Sequence, residues 1–319
     1  MKAALWFTAA SVPLALLAAL SIGSVELGPS ELWQAVSGSG DEVNREIVWG
    51  LRLPRALAAF ACGSLLALAG ALLQVLLRNP LADPYLLGVS GGAATAALAA
   101  MLLGASGALL SGASALGAAA AALAIFVLSL APSGWNPYRV LLAGVALSSG
   151  FGAIISLLLT VAPAAQVQGM LFWLFGDLSG ASNPLPAWLV LAAVAVVAQS
   201  QAMALNVMTL GEDQARSLGV AVARVQWLVF GCATAATAAA VLVGGGIGFV
   251  GLVTPHLLRL AGVHDHRALL PASACLGGAF LAAADAVARS AASPTELPVG
   301  AVTALIGVPA LLVLLAKGR

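Results

Sequence analysis

Residues 205–223 read LNVMTLGEDQARSLGVAVA, a polar island in a chain that is otherwise almost continuously apolar. Gly211 is placed to end one helix, and Glu212 and Asp213 favour the first turn of a second. Gly219 is placed to end that second helix. The island therefore predicts two short helices joined by a turn and projecting from a membrane. A plain solvated loop between two membrane helices is the alternative.

Composition sets the class of protein. Hydrophobic residues make up 61% of the 319 positions and charged residues 8%, whereas soluble domains carry about 25% charged residues. Mean hydropathy is +1.05. A soluble domain is therefore excluded, and an all-α polytopic membrane protein is predicted.

The net charge of +1 gives no indication of a nucleic-acid partner. The widely spaced Cys62, Cys232 and Cys275 indicate neither a disulfide nor a metal site.

Apolar runs separated by polar or proline-containing turns predict ten membrane helices. The first run has an apolar core of about 18 residues, which is long for a signal peptide and favours a retained helix. Residues 163–183 are too interrupted for a span and are interpreted as an interfacial element. The predicted spans lie near residues 1–21, 52–77, 86–105, 110–131, 139–162, 186–203, 225–244, 247–262, 268–288 and 298–316.

The distribution of Lys and Arg predicts that both termini are cytoplasmic. The island at 205–223 then faces the cytoplasm, and four arginines stay on the outer side: Arg45, Arg52, Arg55 and Arg289. The other nine of the 13 cationic residues lie inside: Lys2, Arg78, Arg139, Arg216, Arg224, Arg259, Arg267, Lys317 and Arg319.

The sequence contains no nucleotide-binding P-loop. That motif needs a lysine directly after a glycine, and neither Lys2 nor Lys317 follows one. Energy would have to come from a partner ATPase or an ion gradient, unless the protein uses no energy source. Asp285 is the clear candidate for a proton relay, but Arg289 lies one helical turn on, and an i,i+4 ion pair is the simpler interpretation.

No catalytic or metal site is predicted. The chain offers no combination of Ser, His and acid that supports hydrolase chemistry. His264 and His266 flank Asp265, a spacing that is compatible with a metal site. Two His and one Asp on a short loop are more often solvated, so no metal is predicted there.

Seven motifs together resemble one family of membrane proteins. They are RLPRALAAF from Arg52, LLQVLLRNPLADPYLLGVSGGA from Leu72, RVLLAGVAL from Arg139, LGEDQARSLGV from Leu210, GFVGLVTPHLLRLAG from Gly248, DHRALLP from Asp265 and TELPVGAVTALIGVP from Thr295. The motifs resemble those of the permeases of type II ATP-binding-cassette (ABC) importers for iron chelates, haem and vitamin B12. They follow one another in the same order as in that family and span nearly the whole chain.

The resemblance implies a single permease domain over residues 1–319 in the bacterial inner membrane. It implies a second copy of the chain, separate ATPase subunits that use ATP, a periplasmic substrate-binding protein and surrounding lipid as partners. Ferric siderophore, haem and cobalamin all remain open as cargo, and iron chelates are favoured because most of the family carries them. A proton-coupled secondary transporter that uses Asp285 and a purely structural or sensory membrane protein are the alternatives.

The resemblance also implies which residues contact the partners. A small rigid hairpin passes on a nucleotide-driven rotation better than a flexible loop, and the ATPase-coupling residues would be Gly211, Glu212, Ala215, Arg216 and Gly219. Arginine forks suit carboxylates of a binding protein, and the docking residues would be Arg52, Arg55 and Arg289. Interfacial snorkelling is the alternative for these arginines. The inner gate would be Asn136, Pro137 and Tyr138, where one branch of the family has small hydroxylated residues.

Overall fold

The computed structural model describes residues 2–23, 25, 27–129 and 136–317. Within these ranges the chain forms helices and no β-strand. The helices are α1 (Lys2–Ser21), α2 (Pro29–Ser37), α3 (Glu42–Glu46), α4 (Leu53–Leu76), α5 (Val89–Leu102), α6 (Gly107–Ser129), α7 (Pro137–Val161), α8 (Ala164–Phe175), α9 (Leu185–Ser200), α10 (Ala202–Met208), α11 (Glu212–Ser217), α12 (Val222–Gly244), α13 (Val250–Leu260), α14 (His266–Ser290) and α15 (Val299–Lys317).

Six described helical segments are long and apolar enough to cross a membrane: α1, the continuous segment Glu42–Leu76 that contains α3 and α4, α6, α7, α12 and α14. Helices α9 and α10 meet at a bend of 55° and make a seventh crossing if they are counted as one span. The prediction of an all-α polytopic membrane protein is confirmed. The orientation of the termini stays a prediction.

Two of the ten predicted spans form shorter helices than expected. The predicted spans 86–105 and 247–262 correspond to α5 and α13, which are shorter apolar helices. Helix α15, at the predicted span 298–316, has 19 residues. Helix α13 has 11 residues and is only about 17 Å long, whereas the hydrocarbon core is about 30 Å thick. Gly245 and Phe249 both have positive φ, which keeps the chain before α13 out of a helix.

Helix α4 is the centre of the bundle, and 94% of its membrane-crossing window is buried. It packs against α14, α12, α13 and α9. A methyl group added to Gly63 would overlap the carbonyl of Gly277, and one added to Gly70 would overlap the carbonyl of Gly251. The backbones of α4, α13 and α14 therefore touch directly, as small residues allow inside a membrane.

The ends of α8, α12, α13 and α15 meet in a non-helical junction inside the bundle. The Val299 amide donates to the Gly176 carbonyl at 3.0 Å. The Tyr85 hydroxyl accepts the amide of Ile247 at 2.5 Å and donates to the Gly245 carbonyl at 3.3 Å. Irregular backbone at membrane depth is tolerated only where such internal partners exist.

Candidate functional site

The polar island forms the predicted pair of short helices. Helix α10 ends at Met208, Gly211 takes a φ of +117°, and α11 follows directly. Gly219 has a φ of +83° and ends the second helix, where the Val220 amide donates to the Ala215 carbonyl at 3.0 Å. The prediction of a helical hairpin is confirmed. We refer to residues 202–217 as the hairpin.

The hairpin is tied to the bundle through one carboxylate. Glu212 contacts the guanidinium of Arg78 at 2.8 Å and that of Arg216 at 3.2 Å. It also accepts a hydrogen bond from the Gln226 side-chain amide at 3.1 Å. Ala215 is fully buried beneath α11. Glu212 therefore links the hairpin to the end of α4 and to the start of α12, which fixes the hairpin in place.

A second tie joins the hairpin to the start of α14. The Asn206 side chain donates to Asp265 at 2.7 Å and accepts the backbone amide of His266 at 2.8 Å. Asp265 also receives two bonds from the Arg267 guanidinium, at 2.6 and 2.9 Å. These bonds, together with the one from Asn206, hold the pKa of Asp265 well below its usual range. Asp265 and His266 thus have structural partners here.

The hairpin also presents exposed charged and apolar side chains. The Asp213 side chain is 100% exposed, and most of the Arg216 side chain is also exposed. Leu210 and Leu218 are exposed apolar side chains near the ends of α11. A rigid, charged tip flanked by apolar side chains is suited to contact another protein.

The predicted inner-gate residues lie beside the hairpin. Asn136 caps α7, and its side chain accepts the amides of Tyr138 at 3.0 Å and Arg139 at 3.3 Å. Pro137 takes the first helical position, where it is well tolerated. Tyr138 is 67% exposed. A cavity of about 510 Å³ brings Asn136 next to Gly211 and the first turn of α11. The part of the predicted turn at residues 130–135 lies outside the described residues.

The three predicted docking arginines meet at the opposite end of α4 and α14. Arg52, Arg55 and Arg289 line one cavity of about 320 Å³ together with Glu296. We refer to these four residues and Asp285 as the arginine cluster. The 25 residues of α14 place this cluster about 36 Å from the hairpin end of the bundle.

Ion pairs hold the arginine cluster together. The Arg55 guanidinium contacts Asp285 and Glu296, each at 2.9 Å. Arg289 contacts Asp285 at 3.1 Å, so the predicted i,i+4 pair is confirmed. Asp285 is fully buried between its two arginine partners. A carboxylate held in this way has no free position from which to relay a proton, so the structure gives no support to the proton-coupled alternative.

Arg52 and Arg289 also fasten the first helix. Arg52 donates to the carbonyls of Leu20 at 2.6 Å and Ser21 at 3.0 Å. Arg289 donates to the carbonyl of Ala19 at 3.0 Å. Both arginines are 5% exposed. They satisfy carbonyls at the end of α1, so both have a structural role besides any docking role.

Comparison with known proteins identifies the family of the chain. The family model of the FecCD transport family matches residues 11–317. The chain belongs to the FecCD transport family.

Relatives of this FecCD chain include vitamin B12 import system permease proteins BtuC. Those of Escherichia coli O9:H4 (strain HS) and Citrobacter koseri are each 39% identical, and the alignments cover 96% and 98% of this chain and 92% and 94% of the relatives. That of Shigella boydii serotype 18 is 41% identical over 85% of this chain and 84% of the relative.

Solved structures agree with the fold of this FecCD chain. An inward-facing transporter assigned to the metal-chelate type of ABC transporters has a TM-score of 0.84 at 30% identity, with 99% of each chain covered. PsaBC from Streptococcus pneumoniae in complex with Fab shares the fold, with a TM-score of 0.56 at 16% identity over 84% of this chain and 92% of that one. The FecCD chain is a multi-pass permease of the ABC importer class in the inner membrane, and ATP is used by a separate subunit.

Sequence reasoning missed four residues of the two candidate sites. Arg78 and Gln226 hold the hairpin through Glu212, and Asn206 holds it through Asp265. Glu296 completes the arginine cluster. Arg78 and Glu296 lie in the motifs RNPLADP and TELP, so a charge in each motif was the signal that could have found them.

Proposed function

We propose that this chain is the permease of an importer that moves cobalamin, a large cobalt chelate, from the periplasm to the cytoplasm. The observation that carries this proposal is the identity of 39% to vitamin B12 import permeases over nearly the whole chain. The resemblance of the motifs favoured iron chelates as the cargo, whereas this sequence identity favours cobalamin.

The hairpin supports the proposed coupling to a partner ATPase. Glu212 and Ala215 anchor it, while Arg216 and the neighbouring Asp213 stay available to a partner. The positive φ of Gly211 and Gly219 defines the two ends of α11. We therefore assign to ATPase coupling the set Gly211, Glu212, Ala215, Arg216 and Gly219.

Helix α7 supports a second copy of the chain as partner. Only 11% of its membrane-crossing window is buried. Leu142 and Leu157 are exposed, and a methyl group added to Gly150 or Gly152 would meet nothing. We assign this open face to a transport path shared by two copies, with Asn136, Pro137 and Tyr138 as its inner gate.

The arginine cluster supports docking of an acidic binding protein. Arg52, Arg55 and Arg289 carry three positive charges, and Asp285 and Glu296 carry two negative charges, so one positive charge remains. Glu296 is partly exposed beside Arg55. A carboxylate of the binding protein would compete with Glu296 for this guanidinium.

The deciding experiment has two steps. The chain is first purified from native membranes in mild detergent, and co-purifying proteins are identified by mass spectrometry; an ATPase and a binding protein are expected. The complex is then reconstituted in proteoliposomes, and uptake of cobalamin, a ferric siderophore and haem is compared. Uptake of cobalamin that needs ATP supports the proposal, and a chain that purifies alone in repeated preparations contradicts it.

An iron chelate is the second candidate cargo. It fits the 30% identity to a transporter assigned to the metal-chelate type, a description that cobalamin fits equally. Uptake of ferric siderophore or haem without uptake of cobalamin would make it the cargo.

A further inference from the structure

A cavity of about 360 Å³ lies where α4 ends and α14 begins. Its polar wall comes from Gln74 and Arg78 of the α4 end, from Arg259 of α13 and from His266 of α14. Gly211 of the hairpin turn closes another side. The lining carries Arg78 and Arg259 and no acidic residue. Glu212 pairs with Arg78 from outside the lining, so Arg259 leaves one positive charge without an acidic partner in it.

His266 supplies an unused acceptor to this lining. The Asn206 carbonyl oxygen accepts the backbone amide of His266, because its side-chain nitrogen donates to Asp265. The 2.7 Å contact between that oxygen and His266 Nδ1 therefore requires a hydrogen on Nδ1. Neutral His266 keeps its lone pair on Nε2. This side chain is 2% exposed, and Nε2 has no hydrogen-bond partner among the described residues.

The two arginines supply donors. The Arg259 guanidinium donates to the Gln74 side-chain oxygen, and Arg78 pairs with Glu212. A guanidinium has five N–H donors in a planar fork, so one such bond leaves each arginine with donors to offer. A ligand that satisfies the cavity must accept hydrogen bonds from the arginines and donate one to His266.

We propose that this cavity binds the headgroup of an anionic phospholipid such as phosphatidylglycerol. The phosphodiester oxygens would accept from Arg78 and Arg259, and a glycerol hydroxyl would donate to His266 Nε2. The cavity is at the ends of two helices long enough to cross a membrane, and the ends of such helices lie at the level of the lipid headgroups. Basic pockets between membrane helices are suited to anionic headgroups. Val75, Met208 and Leu210 add apolar wall for the lipid backbone.

Native mass spectrometry of the full-length permease tests this site. Phosphatidylglycerol is titrated against phosphatidylcholine of the same chain length, which has the phosphodiester but neither the net charge nor the hydroxyl. We expect the wild type to prefer phosphatidylglycerol and Arg259→Gln to weaken its binding about fivefold. Arg224→Gln removes an exposed charge at the same end of the bundle, away from the cavity, and should leave binding unchanged. His266→Phe should reduce the preference for phosphatidylglycerol.

Several outcomes would overturn the assignment. Equal binding of both lipids would contradict the proposed lipid site. Binding of phosphatidylglycerol to Arg259→Gln at the wild-type level would also contradict it. If Arg259→Gln does not fold, Arg78→Gln serves in its place, because that side chain is more than half exposed. Displacement of the lipid by excess inorganic phosphate would make this a free-phosphate site. Loss of the lipid on addition of the partner ATPase would assign the cavity to the ATPase interface.

Discussion

The arginine cluster and the hairpin use the same kinds of side chain in opposite ways. In the cluster, Asp285 is fully buried and paired with Arg55 and Arg289. In the hairpin, only Glu212 is turned inward, and Asp213 is fully exposed. Buried pairs fix the positions of helices and are costly to break, whereas exposed charges contribute little to folding and stay free for a partner. Removing charges at the two ends should therefore have different consequences.

The largest effect is expected for Asp285→Asn. The change leaves Arg289 buried without its carboxylate, and breaking one partner of a buried pair costs about 3–5 kcal/mol. Thermal unfolding in detergent should show a clear loss of stability. Asp213→Asn is the matched control, because it removes the same charge at a fully exposed position and should unfold like wild type. Equal stability of the two variants would mean that the buried pairs of the arginine cluster stabilise the fold no more than the exposed charges of the hairpin do.

The combined change Glu212→Arg and Arg216→Glu should mainly affect the partner. It keeps an i,i+4 pair within α11 but places a positive charge beside Arg78. We expect association with the ATPase, measured by co-purification and titration, to weaken by more than about tenfold. Cargo uptake should be lost with it. Normal association and uptake would mean that the hairpin is not the coupling element.

Glu296→Gln tests the docking proposal, and its expected effect is smaller. The Glu296 side chain is partly exposed, so its pair with Arg55 contributes about 1 kcal/mol or less to folding. Without this internal competitor, the Arg55 guanidinium is freer for a carboxylate of the binding protein. The complex should tighten by a few-fold in a binding titration, and Glu42→Gln, in the exposed α3, is the control. Weaker binding would contradict the competition.

Charge reversal of Arg52 or Arg289 tests docking less cleanly than Glu296→Gln does. Both arginines also bond to carbonyls at the end of α1. Arg52→Glu would therefore lower stability and docking together.

The smallest effect is expected for Arg216→Ala. Its pairs with Glu212 and Asp213 are at the surface, and such pairs contribute about 0.3–0.5 kcal/mol. The unfolding midpoint should stay close to that of wild type. A large drop would mean that the hairpin depends on this pair rather than on Arg78.

Local signals made part of each site predictable. Gly211 and Gly219 mark helix ends through their backbone freedom, and Asp285 and Arg289 are one turn apart on a single helix. Such patterns need no knowledge of the tertiary fold. The all-α class followed equally directly from hydropathy.

Contacts between distant segments were not predictable. Arg55 and Glu296 are 241 positions apart, and no spacing rule connects them. The docking arginines were expected on an open outer surface, but Arg52 and Arg289 are buried because they satisfy carbonyls where α1 ends. The shortness of α13 was also missed, because the hydropathy of residues 247–262 does not show that Gly245 and Phe249 leave the helical region.

The shortness of α13 has a consequence for how the chain enters the membrane during synthesis. At about 17 Å, this helix cannot cross the bilayer as an independent segment, and its irregular leading backbone requires partners such as the Tyr85 hydroxyl. Helix α4 is made long before α13, whereas α14 follows it. The packing of α13 between its two neighbours is therefore complete only after α14 has been synthesised. A nascent chain that ends at residue 262 should leave α13 exposed to proteases of membrane quality control, and one that ends at residue 290 should protect it.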